Sequence, residues 1–177
     1  MAVRKYLESS PSLAEGVYID ESAVVIGRVT IGKDSSVWPL SAIRGDVQAI
    51  SIGERTNIQD GSILHVTSPE SYGPDGLELT IGNDVTVGHR AVLHGCSICG
   101  RALIGMGAII MDGVVIETDV IVGAGSVVSP GKTLESGGLY LGSPVRRVRD
   151  LKPEELDFLV YSSAHYVKLK NLHQNDL

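Results

Sequence analysis

The sequence repeats with a period of six residues through most of its length. From Ile98 the chain divides into the hexads ICGRAL, IGMGAI, IMDGVV, IETDVI, VGAGSV and VSPGKT, and each of them opens on Ile or Val. Hexads with the same pattern begin upstream at Ile19, Ile52 and Ile81. Such a period fits neither the 3.6-residue turn of an α-helix nor the two-residue alternation of a flat strand. Hexapeptide repeats are typical of parallel β-helices.

The repeat therefore predicts an all-β fold, a parallel β-helix wound as a three-sided solenoid. Each hexad supplies one short strand and one corner, and three hexads close a coil of about 18 residues. The opening aliphatic residue points inward, while glycine and small polar residues occupy the corners. A core of this kind needs few large rings. The composition agrees, because the chain is 43% hydrophobic but only 5% aromatic and contains 21 glycines.

Three parts of the chain are distinguished by these patterns. We predict an N-terminal segment at 1–18, the solenoid at 19–148 with an inserted loop at 68–79, and a C-terminal part at 149–177. The last part begins a helix at about Pro153, which suits a first helical turn. Apolar residues then recur at spacings of three and four, which predicts an apolar stripe packed on the solenoid. They are Leu156, Leu159, Val160, Ala164 and Val167.

Charge and hydropathy exclude several classes of function. The formal net charge is −6 and no long basic run is present, so we expect no nucleic-acid partner. No stretch approaches the ~18 apolar residues that span a membrane, and the N-terminus lacks an apolar run of signal-peptide length. We therefore expect no membrane association and a cytoplasmic location. Cys96 and Cys99 form a lone C-x-x-C, which we interpret as two small residues of a corner or the core.

The hexad phase relates three of the five histidines to one another. His65 and His94 are each the second residue of a hexad on the same face, one coil apart, at roughly the 4.8 Å strand spacing. His89 lies on the preceding face, too far away to share an ion with them inside one subunit. It can reach such a pair on a neighbouring subunit in a closed three-fold ring. The spacing thus predicts a homotrimer with a metal site at each interface, against the alternative of solvated surface histidines.

The predicted site suits a transition metal and has polar neighbours. Three neutral imidazoles favour Zn²⁺, Co²⁺ or Fe²⁺ and leave a fourth ligand position open, as in catalytic zinc sites. Gln59 and Asn57 are candidates for hydrogen bonds to a water or substrate there, although an asparagine corner is an equal explanation for Asn57. Arg44, Asp46 and Asp60 are candidates for charged pairs across the interface, or for a salt bridge without a catalytic role.

Four segments, IRGD, TNIQDGSILH, VTVGHRAVLHGCSI and YLGSPVR, occur in this order on a hexapeptide solenoid with a C-terminal helix. In this the chain resembles the gamma-class carbonic anhydrase family, most closely its branch of short bacterial carbonic-anhydrase-like proteins. The resemblance covers nearly the whole chain. It implies a left-handed β-helix, a homotrimer, and zinc, or iron in some settings, at the subunit interfaces.

The same resemblance implies an activity and a set of site residues. The activity is reversible hydration of CO₂ to bicarbonate by metal-bound hydroxide. The implied metal ligands are His65, His89 and His94, with His89 donated across the interface. The other implied site residues are the water-orienting Gln59, the charged Arg44, Asp46 and Asp60, the nearby Asn57, and Tyr161 of the terminal helix.

The chain departs from the family at two glutamates that shuttle protons in its best-studied members. Their places read Val47–Gln48 and Val66–Thr67–Ser68, without an acid. Proton export would then need Glu70 or Asp75 of the loop, or buffer. Two alternatives stay open: a trimer that uses the metal for another hydrolysis or for no reaction, and a hexapeptide acyltransferase with one histidine as general base.

Overall fold

Short aliphatic strands separated by tight corners stack along the whole solenoid. The computed structural model describes residues 3–175, which form a parallel β-solenoid of about eight coils followed by one helix. The strands are β1 (Val3–Arg4), β2 (Ser12–Leu13), β3 (Tyr18–Ile19), β4 (Val24–Ile31), β5 (Ser36–Val37), β6 (Ala42–Ile52), β7 (Asn57–Ile58), β8 (Ile63–His65), β9 (Leu79–Ile81), β10 (Thr86–Val87), β11 (Val92–His94), β12 (Ser97–Ile98), β13 (Ala102–Ile104), β14 (Ile109–Ile110), β15 (Val115–Ile116), β16 (Val120–Val122), β17 (Val127–Val128), β18 (Thr133–Leu134), β19 (Gly138–Gly142) and β20 (Val145–Asp150).

These strands make three faces. A 12-stranded sheet carries two of them, because the long strands β4 and β6 turn a corner and belong to both. An eight-stranded sheet, in the order β20-β19-β16-β13-β10-β7-β5-β3, is the third face. The face formed by β8, β11, β14 and β17 is called the histidine face below, because His65 and His94 end two of its strands.

The register confirms the fold that the repeat predicts. Ile98 pairs with Ile116 and Ile116 with Leu134, both in parallel and both 18 residues apart. Ile104 pairs with Val122 at the same separation on the third face. The family's left-handed parallel β-helix is thereby the architecture of this chain.

Aliphatic ladders fill the interior of the solenoid. Ile43, Leu64, Leu93 and Ile110 lie in consecutive coils of one ladder, and each is fully buried. Burying a side chain of this size contributes about 1.5–3 kcal/mol. The small number of aromatic residues follows from this packing, since every coil offers the same narrow interior.

The C-terminal helix α1 runs from Pro153 to Asn175, with Glu154 and Glu155 in its first turn. It lies on the third face and contacts β5 and β10. Within the predicted apolar stripe only Leu159 is buried and Val167 is half-buried, whereas Leu156, Val160 and Ala164 are exposed, so the stripe was wrong.

The outer surface of the third face explains why the contact is not an apolar stripe. The helix meets that surface partly through polar side chains: Ser162 and Ser163 are buried, and Lys170 Nζ lies 3.2 Å from Asp34 Oδ1. The ring of Trp38 packs edge-on against Tyr166 of the helix, with centroids 5.6 Å apart.

Both ends of the solenoid extend beyond the repeat itself. Strands β1 and β2 already pair with β4, and β20 folds back antiparallel on β19 to close the other end, reaching Asp150. In the C-x-x-C, burial raises the pKa of the Cys96 thiol to about 12, while Cys99 is exposed. Between residues 3 and 175 no helix has the length and apolar character to cross a membrane.

Replacing Ile104 by Ala should lower the free energy of unfolding by about 2–5 kcal/mol, because Ile104 is fully buried and its neighbours above and below are fixed by the ladder. The matched control is Leu172→Ala at a position 62% exposed on the helix, where we expect a change within about 0.5 kcal/mol. Urea unfolding at one protein concentration measures both. Equal losses for the two variants would contradict the ladder core.

Candidate metal centre

His65 and His94 face each other at one edge of the histidine face. They are register partners on β8 and β11, and the loop between these strands makes their separation 29 residues. His65 Nδ1 lies 3.1 Å from His94 Nε2. The stacking that the hexad phase predicts for this pair is therefore present in the fold.

Asp46 holds the other ring nitrogen of His65. Its Oδ1 lies 3.0 Å from His65 Nε2, and its Oδ2 accepts a hydrogen bond from Arg44. Burial acts to raise the pKa of Asp46, but the hydrogen bonds from His65 and Arg44 outweigh it, so the pKa is lowered. The carboxylate is thus charged at neutral pH and accepts a hydrogen bond from His65 Nε2–H.

A bulge in β6 puts Asp46 in this place. Gly27 pairs with Gly45 and Val29 with Ile50, so four residues of β6 stand opposite the single residue Arg28. Gly45 allows the close approach of the two strands, because a Cβ there would lie 2.5 Å from the carbonyl oxygen of Arg28. Bulges of this kind re-aim side chains beside functional sites.

Asp112 holds the second nitrogen of His94. Its Oδ1 lies 2.8 Å from His94 Nδ1, and it also accepts a hydrogen bond from the Thr67 hydroxyl. Leu93 pairs with Ile110 and Ser97 with Val115, so the corner after β14 has one residue more than the corner after β11. The longer corner brings Asp112 over His94.

His89 occupies the opposite edge of the histidine face, in the corner between β10 and β11. The corner requires a left-handed residue, which Arg90 supplies with a φ of 58° and Gly61 supplies one coil earlier with 69°. His89 therefore stacks over Asp60, and its Nδ1 lies 2.9 Å from Asp60 Oδ2. The His89 side chain is 45% exposed.

One subunit does not bring the three histidines together. His89 precedes β11 in the corner with Arg90, whereas His94 ends β11, so the two imidazoles lie at opposite edges of the face. Among residues 3–175, no three His, Cys, Asp or Glu side chains are close enough to hold one ion.

Gln59 and Asn57 belong to a buried polar chain on the third face. Gln59 Nε2 donates to Asn57 Oδ1 at 3.1 Å, and Asn57 Nδ2 donates to Thr86 Oγ1 at 3.0 Å. Thr86 in turn lies 2.8 Å from Ser162 Oγ of the helix. This chain joins the helix to the corner that carries His89.

The remaining predicted site residues are found apart from one another. Arg44 is paired with Asp46, and its side chain is 48% exposed. Tyr161 is 59% exposed on α1 and stacks on His165 with a centroid distance of 5.5 Å. In the described part of the chain, neither its exposure nor its stacking on His165 places Tyr161 beside a histidine of the proposed ligand set.

Two cavities flank the histidine corners. A polar cavity of about 460 Å³ lies beside His65 and His94, walled by Thr67, Tyr72 and Asp112 among others. An apolar cavity of about 360 Å³ lies beside His89 and Gln59, under the helix residue Phe158.

The two loop acids suggested for proton export lie away from the polar cavity. Glu70 and Asp75 are exposed, and in the described chain the loop side of that cavity is lined by Ser68, Ser71 and Tyr72. Asp75 is held through its backbone oxygen, which accepts a 2.6 Å hydrogen bond from Gln48 Nε2.

The donor set fits a transition-metal ion. With Asp46 and Asp112 ionised, each accepts a hydrogen bond from the N–H of its histidine, so two lone pairs face each other between His65 Nδ1 and His94 Nε2. Only a shared proton or a cation relieves this. Two nitrogens bound to one tetrahedral ion at ~2.0–2.1 Å lie roughly 3.3 Å apart, close to the 3.1 Å observed.

Asp112 and Thr67 were not predicted as site residues. Thr67 was named only as part of Val66–Thr67–Ser68, where the family has a glutamate. Asp112 occupies a corner position after a hexad opening, as many other residues of the repeat do. The one signal in the sequence is that the hexad phase slips by one residue between His94 and Asp112.

Comparisons with known proteins agree with this fold. No family model matches the chain. It is 56% identical to protein YrdA of Escherichia coli over 169 residues, which is 96% of this chain and 92% of that protein. It is 41% identical to the mitochondrial gamma carbonic anhydrase 2 of Arabidopsis thaliana, covering 96% of this chain but 60% of the longer relative.

A solved structure supports the architecture. A hexapeptide transferase family protein from Anaplasma phagocytophilum superposes with a TM-score of 0.89 at 36% identity, over 96% of both chains. The fold and the site define a class of protein, the three-sided hexapeptide solenoid with paired histidines at one edge of a face. The chain belongs to the gamma-class carbonic anhydrase family.

Replacing Asn57 by Ala should lower the free energy of unfolding by about 1–3 kcal/mol, because Gln59 and Thr86 lose a buried partner. Ser51→Ala, at an exposed position outside the polar chain, is the control and should be near neutral. Thermal or urea unfolding of both variants measures the difference. A neutral Asn57→Ala would show that the polar chain does not stabilise the fold.

Proposed function

We propose that the protein is a metal-dependent carbonic anhydrase-like enzyme, which hydrates CO₂ reversibly at the interfaces of a homotrimer. The observation that carries the proposal is that His65 Nδ1 and His94 Nε2 lie 3.1 Å apart, while the other nitrogen of each ring lies within hydrogen-bond distance of an aspartate, Asp46 or Asp112. Zinc is the metal that this donor set fits first, with Fe²⁺ and Co²⁺ as alternatives.

The third ligand in this proposal is His89 of the partner subunit. Within its own chain His89 contacts Asp60 through Nδ1, and its side chain is 45% exposed, so it is accessible to an ion that its own subunit does not hold. Carboxylate partners of this kind fix the tautomer of metal-binding histidines.

The surface between the two histidine corners suits a second copy of the chain. Ile63 pairs with Val92 and Val92 with Ile109, which makes a ladder of outward aliphatic side chains on the histidine face. Ile63 is 43% and Ile109 39% exposed, and Met106 is 58% exposed beside the His89 corner. Contiguous apolar patches of this kind mark protein interfaces.

A metal bound here supplies a hydroxide nucleophile at neutral pH by lowering the pKa of water to about 7. The chain's own residues orient and select the substrate. Gln59 has its amide plane fixed by Asn57 and lines the apolar cavity beside His89, where it can orient a small uncharged substrate. Proton export relies on buffer or on groups outside the polar cavity, because the loop acids do not line it.

Acyl transfer is the competing function, because a structurally similar protein is a hexapeptide transferase family member. The apolar cavity beside His89 would suit an acyl chain. That reaction needs one histidine as base rather than three around an ion, so the metal content of histidine variants separates the two functions.

We expect about one transition-metal ion per chain and a trimer in solution. His89→Ala should empty the site as fully as His94→Ala, because both would supply ligands to one ion, while His165→Ala on the exposed helix surface should keep the metal. Elemental analysis and sedimentation measure these outcomes. A metal-free protein, or a monomer that retains metal, would contradict the shared site.

Mixed trimers test the sharing directly. Neither His89→Ala nor His65→Ala should bind metal alone, but co-assembled chains should recover part of the metal, because some interfaces then hold all three histidines. Trimers mixed from His94→Ala and His65→Ala chains are the control and should recover none. Absence of recovery in the first mixture would exclude ligands from two subunits.

Stopped-flow CO₂ hydration of the metal-loaded trimer tests the reaction. We expect a rate that imidazole buffer increases, since the two family glutamates are replaced at Val47–Gln48 and at Val66–Ser68. The His94→Ala protein measured under the same conditions is the control. A fully loaded trimer without any rate in either buffer would reject CO₂ hydration while leaving metal binding intact.

A further inference from the structure

The carboxylate of Asp112 binds two groups from two different coils. Its Oδ1 accepts from His94 Nδ1 at 2.8 Å and also accepts the Thr67 hydroxyl hydrogen bond. Thr67 Oγ1 itself lies 3.2 Å from His94 Nδ1, so the three side chains form a closed triangle. The side chain of Asp112 is 24% exposed and that of His94 36% exposed.

The triangle gives His94 a defined tautomer. An aspartate carboxylate is ionised at neutral pH, and that of Asp112 accepts hydrogen bonds from Thr67 and His94. Because an ionised carboxylate accepts only, His94 must carry its proton on Nδ1. The lone pair of Nε2 is then turned to His65.

Thr67 also closes the base of the inserted loop. Its backbone N–H donates to the Leu77 carbonyl at 3.0 Å, and the Leu77 N–H donates back at 3.0 Å. The residues between them form the loop that walls the polar cavity with Ser68, Ser71 and Tyr72. The hydroxyl of Thr67 therefore connects the base of the loop to His94 through Asp112.

We propose that Asp112, held in place by Thr67, is a positioning residue that fixes the tautomer and ring orientation of His94 for metal binding. The inference rests on the proposed metal site and deepens it. An asparagine at this position can offer an N–H to Nδ1, which favours the other tautomer and places a proton on the nitrogen that the metal needs.

Zinc affinity, measured by competition with a chelator, is the first test. Asp112→Asn should weaken zinc binding by about 10–100-fold, the usual effect of removing a partner of a metal ligand. Asp119→Asn is the matched control, because Asp119 likewise accepts a hydrogen bond from a residue 18 positions earlier, Arg101, and the substitution removes the same charge. Its zinc affinity should equal that of the wild type.

Substitutions of Thr67 separate the hydroxyl from the shape of the side chain. Thr67→Ser keeps the donor to Asp112 and should keep the zinc affinity. Thr67→Val keeps the shape without the donor and should weaken zinc binding, by less than Asp112→Asn does. Equal affinities for the Ser and Val variants would remove Thr67 from the inference.

Nitrogen-15 NMR of the metal-free protein at mildly alkaline pH is the second test and does not depend on zinc. The wild type should show His94 protonated on Nδ1, and Asp112→Asn should shift it towards protonation on Nε2. An unchanged tautomer together with an unchanged zinc affinity would overturn the inference. A wild type that binds no zinc but shows the expected tautomer change would instead reject the proposed metal function.

Discussion

The parallel register of stacked coils is the constraint on which the rest of the molecule depends. Each strand is only two or three residues long in most coils, so no strand is stable alone, and each is fixed by the coil below and the coil above. A side chain at one position of a coil therefore lies over the equivalent position of the next. The pairing of His65 with His94 is a direct product of that translation.

Where the site departs from the regular stacking of coils, short irregularities of the backbone position its side chains. Asp46 reaches His65 through a bulge in β6, and Asp112 reaches His94 because its corner is one residue longer. The regular part of the solenoid thus supplies the ligands, and its irregular corners supply the groups that orient them.

The same distinction decides what could be predicted from sequence. The hexad openings predict the buried ladder, the 18-residue coil and the stacking of His65 on His94, because all three depend only on periodicity. The predicted stripe was wrong at Leu156 and Val160, because a spacing of three and four does not reveal that the helix meets the solenoid through buried serines and a lysine as well as aromatic rings. Asp112 could not be predicted, because its role depends on a hydrogen bond between coils that periodicity alone does not specify.

The antiparallel bridge between Thr67 and Leu77 also has an evolutionary consequence. It brings the two ends of the inserted loop together before the chain rejoins the solenoid. The packing of the ladder therefore does not depend on how many residues lie between them. Doubling such a loop costs only about 0.6 kcal/mol in closure entropy. The wall of the polar cavity can therefore diverge in length and chemistry among descendants of this chain while the frame that carries the imidazoles is inherited unchanged.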